Sequence, residues 1–182
     1  RAKNNVIKPF FKMAYDGLFQ EVSSKILYHE KLEADDCIAV ATKHYLKNKE
    51  NHITIITSDT DYLQLIVDRV EIYNAKMKPV RTVKNSTMKA DMDLFVKIIM
   101  GDKSDNINGV RGYGLKTVLK KLPFLQEDKQ YSVDEAIKES SELEEHRELM
   151  ERNFDLMQLH NVDISASAKT KTIDKIREPI PN

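Results

Sequence analysis

Cysteine is almost absent. A single residue, Cys37, stands in 182, so no intramolecular disulfide framework is available and a reducing compartment is expected. No apolar run approaches the ~20 residues of a transmembrane helix, so no membrane partner is expected. Glycine is scarce as well. Of five glycines, four (Gly101, Gly109, Gly112 and Gly114) fall within fourteen residues, marking a place where backbone turns tightly or approaches something closely. With 41% hydrophobic and 32% charged residues, the chain can bury a core and is not a disordered polyampholyte. The length suits one domain, or one with appendages. The chain opens on Arg1 rather than methionine and shows no signal peptide, which raises the expectation of a fragment or processed piece.

Net charge is also missing, but the zero hides a split. Residues 1–125 carry 21 Lys and Arg against 15 Asp and Glu, whereas residues 126–182 carry 8 against 14. A basic body with an acidic C-terminal third permits a nucleic-acid partner without demanding one, since ordinary solvated surfaces show the same asymmetry.

Periodicity sketches the fold. Residues 4–22 place Val6, Phe10, Phe11, Ala14, Leu18 and Val22 near helical spacing, with Pro9 tolerated early or marking the true start. Residues 25–29 read as a short strand. A helix opens at Glu33-Ala34-Asp35-Asp36 and runs to about Lys47, with Cys37, Ile38, Ala41 and Tyr45 inward. Ile53-Thr54-Ile55-Ile56-Thr57 is short, β-branched and nearly all apolar, the pattern of a buried parallel strand. A short helix through Val67 follows, then strands at Val70–Tyr73 and Val80–Val83, read as a hairpin around Pro79. Helices are expected over 88–100, 115–122, 133–138 and 142–159, and a loosely held tail from Ser165. Strand–helix alternation over 25–75 argues an α/β class, and the helical remainder argues an appended part.

Carboxylates gather at the ends of these elements. Asp59 and Asp61 directly follow the strand at 53–57, at the end where open α/β sheets bind ligands. Turn and cap chemistry explains such aspartates equally well. Glu33, Asp35 and Asp36 open a helix, where they complement its dipole. Three carboxylates in four residues exceed that need and repel unless a cation sits among them, and magnesium is the natural candidate. Asp102 and Asp105 follow the helix 88–100. Without these seven residues, 1–125 would carry 21 basic against 8 acidic side chains. An acidic cluster on a basic body suits a metal-dependent enzyme acting on a phosphate polymer.

Two segments suit phosphate. Gly109-Val110-Arg111-Gly112-Tyr113-Gly114-Leu115-Lys116-Thr117 frees backbone N–H groups at a helix start, with Lys116, Lys120 and Lys121 following. Such a grip positions a backbone without reading bases. A plain helix–turn–helix corner with solvated lysines is the simpler reading. Residues 72–90 hold Lys76, Lys78, Arg81, Lys84 and Lys89 and no acidic residue, a second candidate strip or a solvated hairpin. The five histidines show no metal spacing, and the acidic stretch Glu139–Glu151 reads as a solvated face with Arg147 and Glu151 as a helical pair.

Taken together and in order, Glu33-Ala34-Asp35-Asp36, Ser58-Asp59-Thr60-Asp61, Gly101-Asp102-Lys103-Ser104-Asp105-Asn106-Ile107 and Gly109–Thr117 resemble the 5′-nuclease family. That family includes flap endonucleases, the 5′→3′ exonuclease domain of bacterial DNA polymerase I, and the ribonuclease H of T-even phages. The likeness spans 33–122, and Arg152–Leu159 resembles the family's late helix more loosely. It implies a PIN-like α/β parallel-sheet core with an appended helical subdomain carrying a helix-three-turn-helix. The implied boundaries are residues 1–87 for the C-terminal part of the core, 88–164 for the DNA-binding subdomain, and 165–182 for the tail. The implied reaction is phosphodiester hydrolysis near the 5′ end of DNA, or of RNA in an RNA–DNA hybrid, with two Mg2+ or Mn2+ ions. By the same resemblance Glu33, Asp35, Asp36, Asp59 and Asp61 hold or surround the metals, and Asp105 and less directly Asp102 complete the set. Gly109, Arg111, Gly112, Gly114, Lys116, Thr117 and Lys120 hold branched or 5′-ended DNA, with K+ bound by the carbonyls of that turn. A replication clamp or a single-strand-binding protein is the recruiting partner such an enzyme would have. A cytoplasmic site in a bacterial or phage-infected cell is expected, at the nucleoid through DNA.

The sequence departs from the family in places. The family's N-terminal strand and a later strand, each ending in a metal-binding Asp, would precede Arg1, so the chain is expected to lack the family's N-terminal part. Arg1 and Lys3 are the candidate remnants of its basic arch. Asn108 and Leu115 stand where proline is common. A non-catalytic duplex-binding module derived from this family is the alternative, against which the seven carboxylates argue. A PIN-type ribonuclease would not need residues 101–122.

Overall fold

The computed structural model describes residues 9–80, 90–127, 131–160 and 164–180. Along the chain the elements are α1 (Ala34–Tyr45), β1 (Ile53–Ile56), β2 (Val70–Tyr73), α2 (Ala90–Met100), β3 (Gly101–Asp102), β4 (Ile107–Asn108), α3 (Leu115–Lys121), α4 (Val133–Glu139), α5 (Arg147–Met157) and α6 (Ala166–Arg177). Tighter 3-10 turns stand at Asp61–Leu65, Pro123–Gln126 and Ser141–His146. Two compact units result, Arg1–His44 with Ile164–Asn182, and Tyr45–Asp163.

In the first unit, the expected N-terminal helix is present over residues 9–21, with a π-turn at Ala14–Leu18. Its expected inward face is not: Phe10, Phe11 and Leu18 are exposed. The strand expected at 25–29 does not form. That segment is fixed by the Lys25 ammonium, which donates to the carbonyl of Ile176 (2.7 Å) and to that of Glu178, at the C-terminal end of α6. Those carbonyls have no partner within a helix, and a cation there also meets the negative end of the helix dipole. Cys37 is buried as expected, but the rest of the buried stripe of α1 is Ala39, Val40 and Thr42, since Ile38 and Ala41 are half-buried and Tyr45 is exposed.

The loosely held tail expected from Ser165 is instead α6. The Ser165 hydroxyl oxygen accepts the Ala168 N–H (3.2 Å), an N-cap. Ala168, Thr172 and Ile176 recur every four residues and are buried. The Thr172 hydroxyl satisfies itself on the Ala168 carbonyl (3.0 Å). Two of those three residues are small or polar, so hydropathy shows no stripe for a helix that sterics and capping nonetheless make.

In the second unit, β1 and β2 pair in parallel, Ile53 opposite Val70 through Ile56 opposite Tyr73. The parallel expectation holds, but β1 is not buried on both faces: Ile55 is buried and Ile56 is 61% exposed. Among the described residues β1 has one ladder partner, so part of its surface stays uncovered. Arg69, just before β2, donates to the carbonyls of Leu46 (3.1 Å), Asn48 (2.8 Å) and Asn51 (3.1 Å), tying the loop that leads into β1 to the entry of β2. After β2 the chain turns at Asn74–Lys78, with Met77 at φ 56°, and Tyr73 pairs with Pro79 in one antiparallel bridge. Residues 81–83 of the further expected strand lie outside the described residues.

The core of this unit is built on α2. Leu94, Phe95, Val96, Ile98 and Ile99 pack with Val110, Val118, Leu122, Leu125, Ala136, Ile137, Leu143 and Met150. The helix expected at 142–159 begins as a 3-10 turn and becomes α-helical at Arg147. The segment 101–114 is more than a connector. Gly101 and Asp102 pair with Asn108 and Ile107, so the chain doubles back immediately after α2. At the crossing Gly101 has φ +74°, and a Cβ there would stand 2.3 Å from the Gly109 nitrogen. Only glycine tolerates both the angle and the contact.

Candidate metal centre

Local turn chemistry builds one wall. After β1 the Thr57 hydroxyl oxygen accepts the Asp59 N–H (3.1 Å), and Asp59 Oδ1 accepts the Asp61 N–H (2.9 Å). This Asx turn starts the 3-10 turn at Asp61, whose next four residues, Tyr62, Leu63, Gln64 and Leu65, are all buried. Asp61 is thereby held at the edge of the core. Asp59 is exposed.

The second wall is the hairpin after α2. Asp102 lies in β3, and its Oδ1 accepts the Ser104 N–H (2.8 Å) and hydroxyl. Asn106 takes the left-handed conformation (φ 58°) that turns the chain into β4. Carboxylate oxygens of Asp61, Asp102 and Asp105 lie within 4.8 Å of one another. Two sequence segments, 41 residues apart at Asp61 and Asp102, thus meet at one point.

Lys97, in the last turn of α2, stands among them. Its ammonium contacts Asp61 and lies 2.8 Å from Asp102 Oδ2. Burial pushes the Asp61 carboxyl up, only partly offset by Lys97, with Asp59 and Asp102 adding to the rise. Burial also acts on Asp102, but the hydrogen bonds from Lys97 and Ser104 outweigh it and hold that carboxyl at about 2. Burial works to lower the Lys97 ammonium, yet its two carboxylate partners win and raise it. Sequence reasoning missed Lys97. The available signal was a lysine enclosed on both sides by apolar residues in Leu94-Phe95-Val96-Lys97-Ile98-Ile99.

The donor set fits a hard divalent cation. Three carboxylates gather on rigid elements, and all-oxygen sites suit Mg2+ and Mn2+. Among the described residues this is the one such group, and Asp59 is outside it.

Glu33, Asp35 and Asp36 belong to the first unit, at the head of α1. Asp36 Oδ2 accepts the Glu33 N–H (3.1 Å), and Asp35 Oδ1 accepts the Asp36 N–H (3.1 Å). Asp36 therefore does the work of the acidic residue in a capping box. Burial raises its carboxyl, partly offset by that N–H, with Asp35 adding to the rise.

The candidate phosphate-facing turn leads into α3. Gly109 and Thr117 are half-buried, whereas Arg111, Gly112, Gly114, Lys116 and Lys120 are exposed. Lys121 is drawn elsewhere. It donates to Glu142 (3.1 Å) and stands 4.9 Å above the Tyr113 ring, an ion pair combined with a cation–π contact. Of the basic strip at 72–90, Lys76 and Lys78 are exposed, while Arg81, Lys84 and Lys89 lie outside the described residues. Arg147 pairs with more than Glu151 (3.4 Å): Glu144 (2.9 Å) and Asp134 also reach it.

Comparison with known proteins gives the likeness of one stretch of the chain. The sequence model of the 5′-3′ exonuclease N-terminal, resolvase-like domain matches residues 6–93. The 5′-3′ exonuclease of Buchnera aphidicola (Schizaphis graminum) is 32% identical over 117 residues, covering 62% of this chain and 39% of that protein. The Bacillus subtilis 5′-3′ exonuclease is 39% identical over 98 residues, covering 48% of this chain and 32% of that protein. The DNA polymerase I of Treponema pallidum is 37% identical over 101 residues, covering 50% of this chain and 10% of that protein. The chain thus spans at most 39% of the length of these relatives. Among solved structures, the T5 D15 protein co-crystallised with metal ions superposes with a TM-score of 0.67 at 20% identity, covering 97% of this chain and 71% of that one. The T5 5′-exonuclease with bound zinc gives 0.60 at 23% identity, covering 83% and 60%. The structural likeness establishes a PIN-like α/β fold, and residues 6–93 are similar in sequence to the 5′-3′ exonuclease N-terminal, resolvase-like domain.

Proposed function

We propose that this chain carries part of a divalent-metal-dependent nuclease that hydrolyses phosphodiesters near the 5′ end of DNA, or of RNA in an RNA–DNA hybrid. The observation that carries this reading is the meeting of Asp61, Asp102 and Asp105 with oxygens within 4.8 Å of one another. A pure duplex binder gains nothing from negative charge placed beside phosphates.

In this reading Asp61, Asp102 and Asp105 hold the metal, with Asp59, Glu33, Asp35 and Asp36 as the remaining carboxylates of a two-ion Mg2+ or Mn2+ centre. The ions would lower the pKa of an attacking water and offset charge on the leaving oxygen. The chain's own residues do the rest. Asp59 fixes the backbone of Asp61 through its N–H, and Ser104 orients Asp102. Lys97 neutralises two of the carboxylates and must yield part of that contact when a cation enters.

Substrate positioning falls to the turn before α3. Gly109, Arg111, Gly112, Gly114, Lys116, Thr117 and Lys120 would grip the duplex as a helix-three-turn-helix, with K+ on the carbonyls of the turn. The division into core 1–87 and helical subdomain 88–164 belongs to the same proposal. The T5 D15 flap endonuclease, of this fold, has been crystallised with DNA and metal ions, and that supports a 5′-ended or branched DNA substrate. A clamp or a single-strand-binding protein as recruiter is the furthest extension of this reading.

The test is cleavage of a 5′-flap DNA by the 182-residue chain in Mg2+, alongside Asp61→Asn and an EDTA control. Metal-dependent product that the substitution removes is the expected result. Product that survives Asp61→Asn and EDTA would sink it. DNA binding with no product from the longer polypeptide that contains this chain would favour the binding module.

A further inference from the structure

Five polar side chains are buried among the described residues, and two of them converge on one helix. Asn153 of α5 is fully buried. Its Nδ2 donates to the carbonyl of Ile98 (2.9 Å) and to that of Asn108 (2.9 Å). These two carbonyls bracket the segment that bears Asp102 and Asp105. One belongs to the last turn of α2, where carbonyls lack helical partners, and the other to β4.

Gln64 does the same for the other wall. It sits in the 3-10 turn that Asp61 begins, and it is 4% exposed. Its Nε2 donates to the carbonyl of Met157 (2.9 Å), the last residue of α5, and its Oε1 accepts the Leu159 N–H (3.0 Å). Both carboxylate-bearing segments are therefore tied by a buried amide to the C-terminal half of α5 and the residues just past it, and α5 contributes no carboxylate to the group.

A buried amide costs free energy unless each polar atom finds a partner, and apolar side chains would fill the same space without that requirement. What an amide adds is direction and fixed length. A metal centre assembled from two distant segments needs that, because its donors must hold their spacing to within about half an ångström. We infer that Gln64 and Asn153 are positioning residues, and that α5 is the brace setting the separation of Asp61 from Asp102 and Asp105. The inference rests on the metal-centre reading above.

The test uses Asn153→Leu, which keeps the branched outline, and, separately, Gln64→Leu; both remove the hydrogen bonds. Met150→Ala serves as a control, since Met150 is fully buried on the same helix and takes no part in the amide bonds. Hydrogen exchange is measured in EDTA at two buried reporters. One is the Val110 N–H, held by the Ile99 carbonyl (2.7 Å), and the other is the Leu63 N–H, held by the Thr60 carbonyl (3.1 Å). Mn2+ affinity is then measured by titration calorimetry at a temperature where circular dichroism shows each variant folded.

Asn153→Leu is expected to speed exchange at Val110 more than at Leu63, and Gln64→Leu the reverse. Each should weaken Mn2+ binding by about 10-fold or more, the usual cost of losing a group that orients metal ligands. Met150→Ala should speed both reporters equally and leave Mn2+ affinity unchanged. Wild-type exchange in both leucine variants overturns the brace. So does accelerated exchange with unchanged Mn2+ affinity, or Met150→Ala weakening Mn2+ as much as they do. A wild-type chain that binds no Mn2+ is a different failure: it removes the metal reading itself, and the inference with it.

Discussion

The Lys97 ammonium lies 2.8 Å from Asp102 Oδ2 and also contacts Asp61, so a cation of the chain itself stands among the carboxylates of the candidate metal centre. An unneutralised pair of partly buried carboxylates repels, and a lysine between them removes that cost when no metal is bound. Lys97→Met should therefore lower the melting temperature in EDTA, by the several degrees that about 1–2 kcal/mol represents in a domain of this size. Mn2+ should stabilise the variant more than the wild type, because the metal no longer displaces a resident charge. Melting curves with and without Mn2+ check both statements. An equal loss in the two conditions would make Lys97 merely a packing residue.

The same contact predicts a pH dependence for the metal-free protein. Asp102 is held at about 2, below its ordinary 3.8, so its folded state favours the ionised form. That stability is fully present above the ordinary value and is lost as pH falls toward 2. Asp102→Asn should flatten this part of the acid-unfolding curve, an effect on the order of 1 kcal/mol after solvent screening. Lys97 is raised above its ordinary 10.5, so its contribution persists through neutral pH and fades only in strong base. Urea unfolding in EDTA between pH 2 and 5 is the measurement.

At the crossing of the hairpin after α2, a Cβ on Gly101 would meet the Gly109 nitrogen at 2.3 Å, and φ there is +74°. Gly101→Ala should destabilise the second unit by about 3 kcal/mol or more. Gly112→Ala meets nothing within 4 Å but keeps a φ of +84°, so it should cost less, about 1 kcal/mol. Equal midpoints in urea for the two variants would contradict this ranking.

How much of this was legible beforehand depends on the kind of signal. The four motifs carry their own side chains, so the resemblance and the parallel character of the strand at 53–57 were legible, whereas of the seven expected carboxylates the structure brings together Asp61, Asp102 and Asp105. The roles of Lys97, Gln64 and Asn153 were not legible, because each acts on a residue at least 36 positions away in the case of Lys97 and Asp61, and further for the amides. Lys97 left one trace, a charge within an apolar helix, whereas Asn153 sits in a polar helix and Gln64 in a short turn, where the sequence marks neither. The helix α6 was missed for the opposite reason: its buried positions, Ala168 and Thr172, look like surface. The strand expected at 25–29 has no ladder partner among the described residues, and local β-propensity alone decides little.

Asp59 tests whether the carboxylate or the turn matters. Its Oδ1 accepts the Asp61 N–H at 2.9 Å, a role that an asparagine carbonyl can also fill. Asp59→Asn should keep the Asx turn, leave stability within about 0.5 kcal/mol of the wild type, and abolish cleavage while sparing duplex binding. Retained cleavage would remove Asp59 from the reaction and leave it as a turn residue.

The lysines of α3 make a matched pair. Lys116 is exposed and lies two residues beyond Gly114, whereas Lys121 on the same short helix is engaged by Glu142 and the Tyr113 ring. If the turn at 109–117 grips phosphates, Lys116→Ala should weaken binding to any duplex. It should also reduce the slope of log affinity against log salt by about 1. Lys121→Ala should leave that slope unchanged, because its charge is already offset by Glu142. Fluorescence anisotropy on two unrelated duplexes over a salt series separates the outcomes. A loss confined to one sequence would assign Lys116 to a base edge, and equal slopes for both variants would mean that α3 does not lie along the phosphate backbone.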